Sequence, residues 1–426
     1  MILALRPRVV AALLGFFSIL PAPVAAGMTP EEVKAFEGYK ARADQGDGMA
    51  QFELACCYRH GKGVAKDFVE AVRWFRRAAD QGDAAAQYNL GACYFNGEGV
   101  PKDEVEAVKW CRKAADQGGA PAQYALGDCY YYGQGVAKDR CEAVKLYRKA
   151  AVQGVALAQY NLGLCYFNGE GAAKDEVEAV KWFREAADQG NALAQSFLGA
   201  CYSDGKGVAK DEVEAVRWFR KAAVQGVAFA QYHLGARYFN GEGAAKDEVE
   251  AVKWCRKAAD QSFASAQSFL GACYSDGKGV AKDEVEAVRW FRKAADQGDV
   301  VAQFNLGLCY SNATGVAKDA VEAVKWYRKA AEQGMAVSQA YLGLCYAKGE
   351  GVAKDEIEAY AYWNLAGITY EPARKNLAIL EGKMSPDARL IGQRRTKQLQ
   401  KEIEGRLESA EEIRKAIEKK ERSRWA

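Results

Sequence analysis

Hydrophobic and polar residues follow a pattern along this chain that returns every 36 residues. One glutamine marks it nine times without insertion or deletion, at Gln51, Gln87, Gln123, Gln159, Gln195, Gln231, Gln267, Gln303 and Gln339. Within a repeat, apolar residues recur at helical spacing, as at Leu90, Cys93 and Tyr94. A fixed period of this size predicts a solenoid in which each repeat packs only on its neighbours.

Each repeat predicts two short helices joined by a glycine-containing loop. In repeat two the first helix runs to about Phe95, and Gly97 can end it in a left-handed cap. Asp103 then begins the second helix, and with Glu106 it has the pattern of a capping box. Gly91, within the first helix, indicates close approach of the second helix. Helices this short are unstable alone, so stacking must supply the missing burial.

Aromatic residues and cysteines occupy fixed columns of the repeat. Tyrosine fills one column in all nine repeats, from Tyr58 to Tyr346, and tryptophan fills another in seven, which we interpret as core positions. Eight of the twelve cysteines share a column: Cys57, Cys93, Cys129, Cys165, Cys201, Cys273, Cys309 and Cys345. Stacked helices lie about 8–10 Å apart, whereas a disulfide needs Cα atoms within about 7 Å. We therefore predict buried thiols in this column, and bridges remain open for the off-column residues Cys56, Cys111, Cys141 and Cys255.

The N-terminus differs from the repeats. Residues 1–26 contain Arg6 and Arg8, the apolar run Val9–Leu20 and a small-residue site ending at Ala26, which predicts a secretory signal peptide. The run is short for a membrane span, although an uncleaved anchor is the alternative. Cleavage after Ala26 would make the protein secreted or periplasmic and lower its net charge from +3 to +1. A nearly neutral surface gives no case for a nucleic-acid or membrane partner.

The rest of the chain is predicted to contain three parts. An N-terminal capping helix covers residues 28–46, nine repeats cover 47–370, and C-terminal capping helices with a charged tail helix cover 371–426. The last helix is expected to begin near Pro386 and to extend to about Ser423. Its apolar residues are expected to cover the last repeat: Leu390, Ile391, Leu399 and Ile403.

Three repeated segments resemble the Sel1-like repeat family, a relative of the tetratricopeptide repeats: Ala-Gln-Tyr-x-Leu-Gly-x-x-Tyr, Gly-x-Gly-Val-x-Lys-Asp and Glu-Ala-x-x-Trp-x-x-Lys-Ala-Ala-x-Gln-Gly. The resemblance implies an all-α fold, a right-handed α-solenoid of about nine 36-residue helix-turn-helix repeats with helical caps. It also implies a role as a scaffold or adaptor in protein complexes. The cysteine-rich bacterial branch of the family pairs cysteines between successive repeats, and that spacing is absent here. The β-lactam handling attributed to that branch is therefore not carried over.

Similarity to tetratricopeptide arrays places a partner on the concave wall, formed by the residue after the repeated glutamine and by positions four, seven and eight further on. The predicted binding residues are Tyr88, Phe95 and Asn96; Tyr124, Tyr131 and Tyr132; Tyr160, Phe167 and Asn168; and Tyr232, Phe239 and Asn240. Repeat three also places Asp128 on this wall. Aromatic rings and amides suit an extended peptide. Repeats two to four are expected to grip it most strongly; the alternative is that these rings pack within their own repeats.

The predicted function is that of a non-catalytic scaffold that binds another protein or an extended peptide. No cofactor or metal site is predicted, because the chain has no CxxC pair and only two histidines, His60 and His233. No nucleophile motif occurs, and the Gly-Glu-Gly loops lack the preceding strand of a nucleotide site. A cell-wall or glycan-binding module is the alternative function, and a hydrolase of the β-lactam-handling type is the weakest one.

Overall fold

The computed structural model describes residues 28–424, with side chains to residue 409. Every regular element in this range is an α-helix. The predicted signal peptide, residues 1–26, lies outside the described residues. The chain divides between Lys210 and Asp211 into two compact units.

The first unit extends to Lys210 and holds the N-terminal helix, repeats one to four and the first helix of repeat five. Within a repeat the two helices pack together, and each second helix also packs on the first helix of the following repeat. The helices of this unit are Pro30–Asp44, Gly48–His60, Phe68–Asp80, Ala84–Asn96, Glu104–Asp116, Ala120–Tyr132, Arg140–Val152, Ala156–Asn168, Glu176–Asp188 and Ala192–Asp204.

The second unit, Asp211–Ala416, continues with the second helix of repeat five, repeats six to nine and the C-terminal helices. Its repeats pack in the same order as those of the first unit. Its helices are Glu212–Val224, Ala228–Asn240, Glu248–Asp260, Ala264–Asp276, Glu284–Asp296, Val300–Asn312, Ala320–Ala331, Ala336–Lys348, Glu356–Ala366, Glu371–Glu381 and the start of Pro386–Arg424.

The helix ends follow the sequence signals, with one difference. Gly97 ends the first helix of repeat two with φ of 72°, a left-handed cap. The Asp103 carboxylate accepts the backbone N–H of Glu106 at 2.9 Å, as predicted. The reciprocal half of the capping box is wrong, because the Glu106 carboxylate instead accepts from Lys109 Nζ at 2.9 Å. An exposed lysine one helical turn away competes for that carboxylate.

Two glycine columns allow close contact between backbones. A Cβ atom at Gly91 would lie 2.7 Å from the Cys111 sulfur, which confirms the predicted close approach of the two helices in a repeat. At Gly99, φ is 73° and a Cβ atom would lie 2.1 Å from the backbone oxygen of Phe68 in the preceding repeat. Only glycine combines this conformation with this contact, which explains a loop glycine in all nine repeats.

The repeated glutamine connects the repeats through buried hydrogen bonds. Gln87 Nε2 donates to the backbone oxygen of Ala79 in the preceding repeat, at 3.1 Å. Gln87 Oε1 accepts from Gln117 Nε2 at the end of its own repeat, at 2.8 Å. The same pair of bonds recurs at Gln123. Both polar ends of the buried amide therefore have partners, one in the preceding repeat and one in its own repeat.

The tryptophan and cysteine columns are mostly buried, as the pattern predicts, whereas seven of the nine column tyrosines are half-buried. Five of the seven column tryptophans are buried, while Trp182 and Trp254 are half-buried. The tyrosine column links successive repeats, since Arg112 donates to the hydroxyl of Tyr130 at 2.7 Å. All twelve cysteines are free thiols: nine are buried, Cys56 and Cys345 are half-buried, and Cys141 is exposed. Seven of the eight column cysteines are buried, as the column argument predicts.

The last helix covers the array with only part of its predicted apolar face. Leu399 and Ile403 are buried and pack against repeats eight and nine, in agreement with the prediction. Leu390 and Ile391 are 48% and 52% exposed, so their predicted capping role is wrong. At about 100° per residue, Leu390 lies about 180° around the helix from Leu399, and one helix face cannot bury both.

Candidate functional site

The twelve predicted binding residues differ in exposure. Four are buried, with 9% or less of the residue exposed: Tyr124, Tyr131, Tyr160 and Phe167. Six are half-buried, namely Tyr88, Phe95, Tyr132, Asn168, Tyr232 and Phe239, whereas Asn96 and Asn240 are exposed. Nine of the twelve belong to the first unit, and the three residues of repeat six belong to the second.

The buried rings pack inside the array. The Tyr124 ring lies 5.9 Å from the ring of Tyr147, on the second helix of the same repeat. The Tyr160 ring similarly lies 6.0 Å from Phe183 and 5.7 Å from Phe197. Packing within the array therefore accounts for these tyrosines, and the half-buried residues are the ones a partner could contact.

A pocket of about 40 Å³ lies between repeats two and three in the first unit. Its lining includes three of the predicted residues, Tyr88, Phe95 and Tyr124, and also Cys111, Ala125 and Asp128. We call this the Asp128 pocket. Tyr88, Phe95 and Ala125 are half-buried, and the other three residues are buried. The walls are mainly apolar, with one ionisable carboxyl group among them.

The pocket exists because small residues stand where other repeats have large ones. The column of Cys111 holds an aromatic residue in seven of the nine repeats: Phe75, Tyr147, Phe183, Phe219, Phe291, Tyr327 and Trp363. Cys255 is the other exception, and there the following repeat carries Phe269 where repeat three has Ala125. The Phe269 ring lies 5.0 Å from Phe239 and 6.5 Å from Tyr232, the counterparts of Phe95 and Tyr88. Repeats six and seven thus place a ring beside the same two aromatic residues.

Asp128 is the only acidic residue in its column, which elsewhere holds alanine, leucine or cysteine. Only 6% of the residue is exposed. Its Oδ1 atom accepts from the Tyr147 hydroxyl at 2.6 Å, and Asn161 Nδ2 lies 3.4 Å away. Asn161 Nδ2 also donates to the Tyr124 hydroxyl at 3.2 Å. A buried carboxyl group is thus held by neutral donors from repeats three and four.

Burial is the dominant influence on ionisation in this pocket. It raises the pKa of Asp128 to about 6, although hydrogen bonds from Tyr147, Tyr124 and Asn161 act in the opposite direction. Burial also raises the pKa of the Cys111 thiol and of the Tyr88 hydroxyl to about 12. At neutral pH the Asp128 carboxyl group is therefore mostly ionised, while the surrounding thiol and phenol groups are neutral.

The pocket's chemistry is suited to binding. A thiol with a raised pKa is a poor nucleophile, because the thiolate is the reactive form. Among the described residues, no group of three or more His, Cys, Asp or Glu side chains is placed to hold a metal ion. No helix from residue 28 onward is long and apolar enough to cross a membrane. A carboxylate in an apolar pocket can attract a cation, and the rings beside it can contact apolar groups.

Sequence reasoning placed Asp128 on the partner wall but did not distinguish it from the aromatic residues. Two signals in the columns could have identified it. Asp128 replaces an apolar residue, and Cys111 replaces an aromatic one less than half a repeat earlier. What the columns could not show is that these two substitutions, together with Ala125, line the same pocket.

Tandem helical hairpins packed in sequence define an α-solenoid repeat protein. The Sel1 repeat profile matches residues 48–83, 84–119, 120–155, 156–191, 192–227, 228–263, 264–299, 300–335 and 336–367. The chain therefore belongs to the Sel1 repeat family, whose members generally serve as scaffolds for protein interactions and are typically non-catalytic. A search of curated proteins found no match.

Two solved structures support this assignment over most of the chain. A protective antigen present in uropathogenic Escherichia coli strains, with an SLR fold, is 33% identical, and the match covers 87% of this chain and 88% of that one with a TM-score of 0.64. A Sel1 repeat protein from Oxalobacter formigenes is 32% identical, and the match covers 78% of this chain and 98% of that one with a TM-score of 0.55.

Proposed function

We propose that this protein is an exported, non-catalytic scaffold that binds a partner protein through the first helices of repeats two to four. The observation that carries the proposal is the Asp128 pocket, which has half-buried aromatic residues on a face of otherwise well-packed helices. Tyr88 and Phe95 offer apolar area at this pocket, and the exposed amide of Asn96 beside them can bind a peptide backbone. Export rests on the predicted signal peptide, residues 1–26.

The test uses the mature protein as bait and replaces the half-buried rings. Tyr88→Ala combined with Phe95→Ala should abolish co-purification of the partner from an extracytoplasmic extract. Tyr124 and Tyr131 are unsuitable targets, because their burial means that truncation would damage packing.

Repeat six offers a matched control. Tyr232→Ala combined with Phe239→Ala removes the same two side chains at the equivalent positions, where Phe269 packs beside them. We expect this control variant to retain the partner, and circular dichroism to show equal helix content in both variants. Loss of the partner from both, or from neither, would contradict the assignment to repeats two to four.

Two further measurements cover the export and the alternative ligand. N-terminal sequencing of the exported protein should begin at Gly27, whereas retention of residues 1–26 would contradict cleavage after Ala26. A parallel capture with isolated cell-wall material addresses glycan binding. Binding of the wall material, lost in the Tyr88 and Phe95 double variant, would favour the glycan-binding function over the scaffold.

A further inference from the structure

We propose that the Asp128 pocket binds the side chain of a lysine residue presented by the partner. The lysine's ammonium group would pair with the Asp128 carboxylate, and its methylene groups would contact the rings of Tyr88 and Phe95. This inference rests on the proposed scaffold function, since it specifies what the scaffold recognises.

The charge of Asp128 favours a cationic ligand. Its hydrogen-bond donors, Tyr147, Asn161 and Tyr124, are all neutral, and no lysine or arginine is paired with it among the described side chains. Neutral donors reduce the cost of burying a carboxylate but leave its charge unbalanced. A cation brought by a partner would balance that charge in an environment of low dielectric constant, where the attraction is strong.

The size of the pocket suits the end of a lysine side chain. One water-sized group needs roughly 10–15 Å³ of such space, so about 40 Å³ admits about three such groups. Three groups correspond to an ammonium and the last two methylene groups of lysine. The guanidinium group of arginine is a planar fork of four heavy atoms and needs a wider opening. Apolar walls suit the lysine stem, and the ring faces of Tyr88 and Phe95 can also attract its ammonium group.

The equivalent place in repeats six and seven holds an aromatic ring and no acid. Repeats six and seven reproduce Tyr88, Phe95 and Cys111 as Tyr232, Phe239 and Cys255. There Phe269 stands in place of Ala125, and Ala272 stands in place of Asp128. The acid is thus found where the space is open, and it is replaced by alanine where a ring packs against the same aromatic pair. A carboxyl group that served only packing would not need the open space beside it.

The experiment measures peptide affinity by fluorescence anisotropy with the mature, full-length protein. Three labelled peptides share a glycine, asparagine and tyrosine background and differ only in a central lysine, N-acetyl-lysine or norleucine. Norleucine keeps the aliphatic stem of lysine but carries no charge. N-acetyl-lysine keeps the length of the side chain and is also uncharged. We expect the lysine peptide to bind at least about tenfold more tightly than the other two.

Two variants test the pocket in different ways. Asp128→Asn keeps the side-chain shape and an acceptor for Tyr147, and it should reduce the lysine preference to about onefold. Ala125→Phe copies repeat seven, fills the space without changing the acid, and should weaken binding of the lysine peptide. The exposed Asp188→Asn removes a carboxylate elsewhere and should leave the preference unchanged.

The outcomes separate this inference from the scaffold function. Equal affinity for all three peptides would overturn the lysine assignment while leaving peptide binding by this face intact. A lysine preference that survives in Asp128→Asn would also overturn it. Absence of binding to every peptide would overturn the lysine assignment too, whereas the scaffold function would still be decided by partner co-purification with the Tyr88 and Phe95 variants.

Discussion

Replacing Asp128 with asparagine should stabilise the protein at neutral pH, even though it removes a hydrogen-bonded side chain from the interior. Burial holds the pKa of this carboxyl group at about 6, against an ordinary value of 3.8. The folded protein therefore binds a proton between about pH 4 and 6 that the unfolded chain has already released. Stability contributed by this group is complete below about pH 4, falls as the pH rises through this window, and stays lost above pH 6.

The size of the pKa shift of Asp128 sets the expected gain in stability. At about 1.4 kcal/mol for each pH unit, ionising Asp128 in the folded protein costs about 3 kcal/mol of the free energy of unfolding at pH 7. Asparagine resembles the protonated acid, since its oxygen can still accept from the Tyr147 hydroxyl, which lies 2.6 Å from Asp128. The free energy of unfolding of Asp128→Asn should therefore exceed that of the native protein by up to about 3 kcal/mol at pH 7.5. This difference should shrink towards zero near pH 4.

Urea unfolding followed by far-ultraviolet circular dichroism measures this difference at pH 4, 6 and 7.5. Five ionisable groups close to Asp128 stay neutral over that range, because burial raises their pKa values: Tyr88, Cys111, Tyr124, Cys129 and Tyr147. Asp188→Asn, at an exposed helix end, is the control. A stability difference independent of pH, or a destabilised Asp128→Asn at pH 7.5, would refute the reasoning.

Three other predictions concern the array itself. Gly99→Ala should destabilise the protein by at least about 2 kcal/mol, because its Cβ atom would meet a backbone oxygen at 2.1 Å. Gly38→Ala, in open space within a helix, should instead stabilise the protein by about 0.5–1 kcal/mol. Equal urea midpoints for the two variants would contradict both predictions. In the same assay, Leu399→Ala should lower the free energy of unfolding by about 2–4 kcal/mol and Ile391→Ala by less than about 0.5 kcal/mol, because only Leu399 is buried. Similar losses in the two variants would contradict the assignment of Leu399 to the buried face of the last helix. A thiol reagent at pH 7.5 should label Cys141 first, since it is the exposed cysteine, and mass spectrometry of peptides from the briefly treated protein would reveal any faster site.

The helical repeat was predictable because its signals are local. Gly97 and Asp103 act within a few residues of their own positions, so caps and helix ends could be predicted with the correct limits. The capping box failed at Glu106 because two local partners compete for one carboxylate, and Lys109 takes it. The exposure of Leu390 was missed for a related reason, since an apolar residue in a helix predicts burial only when its angle around the helix matches the covering face.

The candidate site could be predicted only in part. The column rule named three residues that line the Asp128 pocket, Tyr88, Phe95 and Tyr124. It did not distinguish Tyr124, which is buried, from Tyr88, which is half-buried, although both occupy the same position in their repeats. Exposure at one position depends on what the adjacent repeats place beside it, and a column describes each repeat separately.

The sequence by itself determined the period, the helices, the glycine turns and the residues that join one repeat to the next, because these depend on contacts that recur every 36 residues. Only the tertiary structure decided where the array departs from that regularity. The Asp128 pocket needs Cys111 from one repeat and Ala125 and Asp128 from the next to be small or acidic at the same place. Such a coincidence has no period, and it becomes visible only when the packed helices bring those side chains together.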